Sequence, residues 1–147
     1  MWENFWTNER HHQTLKSKFP FFAVGFDVTT KFFKRHQMGN FMVIVDENGF
    51  QAMGSTKEVL NMGSIQAKFE SFGFSGLTID GHNEREIDEA VRALWARDTE
   101  TPKVLVAKTI KGKGVPFMEH DNRWHYTRLN DETYAMAIAA VTAGIKS

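Results

Sequence analysis

Three polar clusters in this 147-residue chain each follow or adjoin an apolar run, and each has the composition of a ligand-binding loop. The first is Val45-Asp46-Glu47-Asn48-Gly49-Phe50. Its side-chain oxygens, with a backbone carbonyl exposed by the glycine turn, are donors suited to a hard cation, and magnesium prefers such oxygens and usually shares them with phosphates. The same Asp-x-Asn-Gly pattern also suits a plain turn. The second cluster, Lys108-Thr109-Ile110-Lys111-Gly112-Lys113-Gly114, combines lysines with glycines, so backbone amides can approach a phosphate while an ammonium neutralises it. It lacks the Gly-x-x-x-x-Gly-Lys-Ser/Thr spacing of a Walker A motif, and a solvated basic turn is the plainer alternative. The third is His125 between Trp124 and Tyr126, an imidazole that either donates to a phosphate oxygen from an apolar wall or simply packs. His120 and His125 are not at helical ligand spacing, and without cysteine the chain cannot complete a common zinc set around them.

The elements that must position these loops are legible from residue 41 onward. Phe41-Met42-Val43-Ile44-Val45-Asp46 reads as a strand covered on both faces. Ser55-Thr56-Lys57-Glu58 has capping-box spacing and starts a short helix, and Ser64 to Phe72 forms a second helical stretch stopped by Gly73. Ser75-Gly76 reads as a turn before a strand over Leu77-Thr78-Ile79-Asp80. Asn83 and Glu86 have cap spacing, and Ile87, Ala90, Val91, Leu94 and Trp95 recur at three and four residues, which predicts an amphipathic helix. Pro102 breaks the chain before a third strand over Lys103 to Thr109, and Asp131 to Ile145 reads as a closing helix. Alternating strands and helices predict a parallel α/β sheet whose ligands sit beyond the strands' carboxyl ends. Upstream, Phe19 to Phe26 suggests a buried strand, and Thr30 to Gln37 a helix closed by Gly39. Trp95, Phe69, Phe72 and Phe74 are expected in the core, with Met38, Met42, Met53 and Met62 filling gaps, while Glu84 to Glu89 should form a solvated helix face.

Composition narrows the function classes. Eighteen basic and eighteen acidic residues leave no net charge, so the long-range attraction that gathers nucleic acid or anionic membrane is absent. With no cysteine, disulfide frameworks and thiol nucleophiles are excluded. No apolar run is long enough to span a bilayer, and Met1-Trp2-Glu3-Asn4 lacks the character of a secretory signal, so a cytoplasmic location is expected.

Taken in order, Val-Asp-x-Asn-Gly-Phe-Gln, Asp80-Gly81-His82-Asn83, the Lys108 to Glu119 stretch and Trp124-His125 resemble the transketolase family, especially its separately encoded N-terminal subunits. The resemblance runs from about Phe32 to the C-terminus. It implies that residues 41–147 are the second half of a thiamine-diphosphate-binding domain, with 1–40 an atypical N-terminal segment. It also implies thiamine diphosphate and Mg2+ as cofactors: Asn48 would bind metal through its side chain, Phe50 through its backbone carbonyl, and Lys111 and His125 would contact the cofactor. The implied activity is transfer of a two-carbon ketol unit between sugar phosphates. The expected partner is a C-terminal, pyrimidine-binding transketolase subunit, or further copies of the chain in a homo-oligomer. The glutamate that activates the aminopyrimidine belongs to that other domain, so no catalytic residue is assigned here. The family's Gly-Asp-Gly motif, which carries the first metal carboxylate, is absent from the Lys18 to Asp27 region. A non-catalytic remnant or interaction subunit that keeps the half-fold without cofactor is therefore the alternative.

Overall fold

The computed structural model describes residues 26–145, with side chains from 31 to 144. Helix α1 (Phe26–Arg35) leads to strand β1 (Met42–Glu47), a small hairpin of β2 (Phe50–Gln51) and β3 (Gly54–Ser55), and helices α2 (Thr56–Val59) and α3 (Ile65–Ser71). Strand β4 (Ser75–Asp80), helix α4 (Glu84–Trp95), strand β5 (Lys103–Lys108), a 3-10 turn (Asn122–His125) and helix α5 (Asp131–Ile145) follow. The main sheet has three parallel strands in the order β1-β5-β4, flanked by helices, as the α/β reading predicts.

The caps explain why the helices start where they do. Ser55 Oγ accepts from Glu58 N, Ser64 Oγ from Ala67 N and Asn83 Oδ1 from Glu86 N, each satisfying an amide that the first turn leaves open. On β5, Val104 and Val106 face one side and Leu105 the other, as the two-residue period of a strand requires. Val104 and Val106 join Phe33, Phe69 and Phe74 in one core cluster, which α1 and α3 cover. Within it the Phe33 and Phe41 rings stack at 4.2 Å and the Phe69 and Phe74 rings meet edge-on at 5.2 Å. Leu105 packs with Ala90 and Leu94 of α4 on the opposite side. Leu94 is fully buried, so its truncation to alanine would cost about 3 kcal/mol.

Several expectations change. Ser75 and Gly76 are not a turn but the first residues of β4, paired with Lys103 and Val104. Gly76 is needed for close packing, since a Cβ there would stand 2.8 Å from Gln66 Cγ on α3. The first helix runs from Phe26 to Arg35, and its exit is shaped by Gln37 at φ 49°, not by Gly39. Gly39 is a packing glycine, because a Cβ would lie 1.9 Å from the Thr99 carbonyl oxygen. Phe26 opens α1, and the rest of the Phe19 to Phe26 strand expectation lies outside the described residues. Trp95 is 42% exposed, and Met53 is 83% exposed at the hairpin tip, so neither belongs to the core.

The start of β5 is pinned by a buried cation. Lys103 is 1% exposed, and its Nζ donates to the carbonyl oxygens of Gly39 and Asp98, each at 2.7 Å, while lying 5.7 Å from the Trp95 ring centroid. One side chain thereby ties the α1–β1 connection to the α4–β5 connection. Among the described residues, no helix is long and apolar enough to cross a membrane.

Candidate functional site

The identical register of β1 and β4 on β5 brings Glu47, Lys108 and Asp80 into one row at the carboxyl edge of the sheet. Such an edge is where open α/β sheets bind ligands. Side chains lock it from both sides. Lys108 Nζ pairs with Glu47 Oε1 at 2.6 Å, and the Thr109 hydroxyl donates to Asp46 Oδ1. On the β4 side Gly81 N donates to the Lys108 carbonyl at 2.7 Å, and His82 Nε2 accepts from Ile110 N at 2.7 Å.

The β1 exit is built by the residues singled out from the sequence. Asn48 Oδ1 accepts from Phe50 N at 2.9 Å, Gly49 takes φ 80°, and the Gly49 carbonyl accepts from Thr56 N at 2.9 Å. This turn folds the β2–β3 hairpin back, leaving a cavity of about 510 Å³ whose wall includes Asn48, Phe50, Glu47, Thr109 and Lys57. Asn48 and Phe50 are thus brought together.

Lys111 and His125 stand in other positions. Lys111 follows Ile110 directly, and its carbonyl accepts from His120 N at 3.1 Å. It has no ion pair among the described residues. His125 is exposed at the end of the 3-10 turn, with the Tyr126 ring edge-on at 4.7 Å. Neither lines the cavity that holds Asn48 and Phe50. The two regions are nevertheless linked, because Asn122 Nδ2 donates to the Ala52 carbonyl at the hairpin tip, 3.3 Å away. Trp124 Nε1 donates to the Phe117 carbonyl at 3.0 Å and fixes the turn from the other side. The adjacent Arg123 side chain hydrogen-bonds Asp121 and holds its carboxyl below the ordinary aspartate value.

Two residues with structural parts in this region had no assigned role from sequence. His120 lines the cavity with φ 57°, a left-handed conformation in which histidine is enriched but which no local sequence pattern announces. His82 marked a motif, yet its contact with Ile110 joins residues 28 positions apart, beyond any helical or strand period. As a metal site the donor set is partial: Asn48 offers an amide oxygen with a second lone pair, and Phe50 a backbone carbonyl. Among the described residues no group of three or more His, Cys, Asp or Glu side chains is placed to hold a metal.

Comparison with known proteins gives a consistent result. Residues 28–142 match the family described as transketolase, thiamine diphosphate binding domain. One of the subunits of the apulose-4-phosphate transketolase of Phocaeicola vulgatus is 30% identical over 114 residues, covering 76% of this chain and 40% of that protein. The 6-deoxy-6-sulfo-D-fructose transketolase subunit SqwG of a Clostridium species is 32% identical over 103 residues, covering 70% and 37%. Among solved structures, the transketolase of Campylobacter jejuni superposes with a TM-score of 0.71 at 27% identity, covering 79% of this chain and 18% of that one. The chain therefore spans about two fifths of the length of these two curated proteins.

Proposed function

The chain belongs to the transketolase thiamine-diphosphate-binding family, and from that premise we propose that it supplies one side of a cofactor site in a transketolase-type enzyme. In this reading the complete assembly moves a two-carbon ketol unit between sugar phosphates, and a partner carrying the pyrimidine-binding domain, or further copies of this chain, complete the site. The two similar proteins are both named as subunits, which supports the need for a partner.

The observation that carries the proposal is the turn after β1, where Asn48 and Phe50 share one cavity wall beside the strand ends. Asn48 through its side-chain oxygen and Phe50 through its carbonyl would hold Mg2+, which would offset the charge of the diphosphate. Lys111 would offset diphosphate charge, and His125 would donate to a phosphate oxygen. When bound, thiamine diphosphate supplies the electron sink for carbon–carbon cleavage. The roles left to this chain are to bind and orient the diphosphate end.

The sequence lacks the family's Gly-Asp-Gly carboxylate in the Lys18 to Asp27 region, and among the described residues no group of three or more His, Cys, Asp or Glu side chains is placed to hold a metal. Both favour a second reading, a protein that keeps the half-fold without cofactor. Calorimetric titration with thiamine diphosphate and Mg2+, with and without a transketolase C-terminal subunit, separates the two. Saturable binding supports the first, and its absence in both settings selects the second. Under the first reading, Asn48→Ala weakens magnesium-dependent binding by about tenfold or more, on the scale of one charge-assisted contact. Unchanged affinity would remove Asn48 from the site.

A further inference from the structure

The most specific contact at the sheet's carboxyl edge that family resemblance leaves unassigned is the one made by His82. Its Nε2 receives the Ile110 amide hydrogen at 2.7 Å, so this nitrogen must be unprotonated and the ring proton of the neutral imidazole must sit on Nδ1. Ile110 is the residue before Lys111, and both β5 and the basic loop depend on how the chain leaves Lys108.

The surrounding geometry shows how the contact is built. A Cβ at Gly81 would stand 2.6 Å from Thr109 Cγ2 and 3.0 Å from the Lys108 carbonyl oxygen, so only glycine lets the end of β4 come this close to the end of β5. That approach puts His82 within reach of Ile110. The His82 backbone is itself fixed, since its N–H donates to Asp80 Oδ1 at 2.9 Å, and Asp80 N donates to Glu86 Oε2 on α4 at 3.0 Å. Beyond Ile110 the loop closes on itself: Lys113 N donates to the Ile110 carbonyl, and His120 N to the Lys111 carbonyl, both at 3.1 Å. His82 is thus the side chain that joins the loop's first free amide to the rigid strand end.

We propose that His82 is a positioning residue for the Lys111 loop, fixing its first amide through an unprotonated Nε2 so that the Lys111 ammonium is held in place for an anionic ligand. The anion-binding half of this inference rests on the cofactor reading above, whereas the positioning half does not. A ring that donated from both nitrogens, or an alanine, would leave the Ile110 amide without its acceptor. Glutamine places its side-chain oxygen near the position of Nε2 and keeps an acceptor there.

Nitrogen-15 NMR of the full chain, hydrogen exchange at Ile110, and titration with inorganic pyrophosphate and Mg2+ test this. The expected results are an unprotonated Nε2 and an Ile110 amide that exchanges about fivefold faster in His82→Ala, with Val106 unchanged. His82→Gln should restore Ile110 protection, and pyrophosphate affinity should fall and recover in parallel. A protonated Nε2, or an Ile110 amide indifferent to His82→Ala, overturns the proposal. Failure of the wild-type chain to bind pyrophosphate, both alone and with a transketolase C-terminal subunit, overturns the anion-binding half; the thiamine diphosphate titration above decides the cofactor reading separately, and Ile110 exchange still decides the positioning half.

Discussion

Individual side chains make the sharpest predictions. Lys103 is buried with its ammonium donating to two carbonyl oxygens, so it satisfies acceptors that would otherwise be stranded. Lys103→Met should cost about 3 kcal/mol, read as a lower urea midpoint, because an unsatisfied buried acceptor costs about 1–3 kcal/mol. Among the described residues, three aspartates contribute to the acid limb of stability. Hydrogen bonds from Arg92 to Asp88, from Thr101 to Asp98 and from Arg123 to Asp121 hold these carboxyls below the ordinary value of 3.8. A depressed folded-state value means that the contribution is present above the ordinary carboxylate range and lost as pH falls through the folded values. Thermal melts should therefore change little near neutrality and fall in strong acid. Asp98→Asn, which cannot titrate, should make that fall shallower; an identical acid profile would remove Asp98 from the account.

At the level of elements, glycines determine how closely neighbours pack. Gly39→Ala would drive a Cβ into the Thr99 carbonyl and separate the two connections that Lys103 ties together. A loss of several kcal/mol in chemical denaturation is expected, at the upper end of single substitutions. Such contacts explain what was readable in the sequence. Ser55, Ser64 and Asn83 cap their helices through bonds to residues three positions on, so local spacing revealed them. The turn at Asn48 was legible from its Asp-x-Asn-Gly pattern, since the contact between Asn48 and Phe50 spans two residues, whereas the metal roles expected of both came from family resemblance and not from spacing. Gly76 and Gly39 were misread because a glycine used for packing looks like a glycine used for turning. The two-residue strands of the hairpin are too short for a periodic signal, and the His82–Ile110 contact depends on strand order, which no local window contains.

For the molecule as a whole, the covering of the sheet is uneven. Among the described residues β1 and β4 are both edge strands, and Ile44 on β1 is 46% exposed. Of the described side chains of α5 only Ala137 is buried, while Tyr134, Met136, Ile138 and Val141 remain exposed. Apolar surface of this kind promotes association. Sedimentation at rising concentration should show self-association of the chain, and Ile138→Lys should shift it towards monomer without lowering the melting temperature; a concentration-independent monomer would refute this. The strand order has a further consequence for the history of the chain. Because β5 lies between β1 and β4, Met42 and Ser75 both find their sheet partner in Lys103, so among the described residues neither earlier strand has a neighbour until β5 is made. On the ribosome, helices can form early while two apolar strands wait unpaired. The sheet should then close in one late event when Lys103–Lys108 emerges, leaving the nascent chain most exposed to misassembly just before that moment.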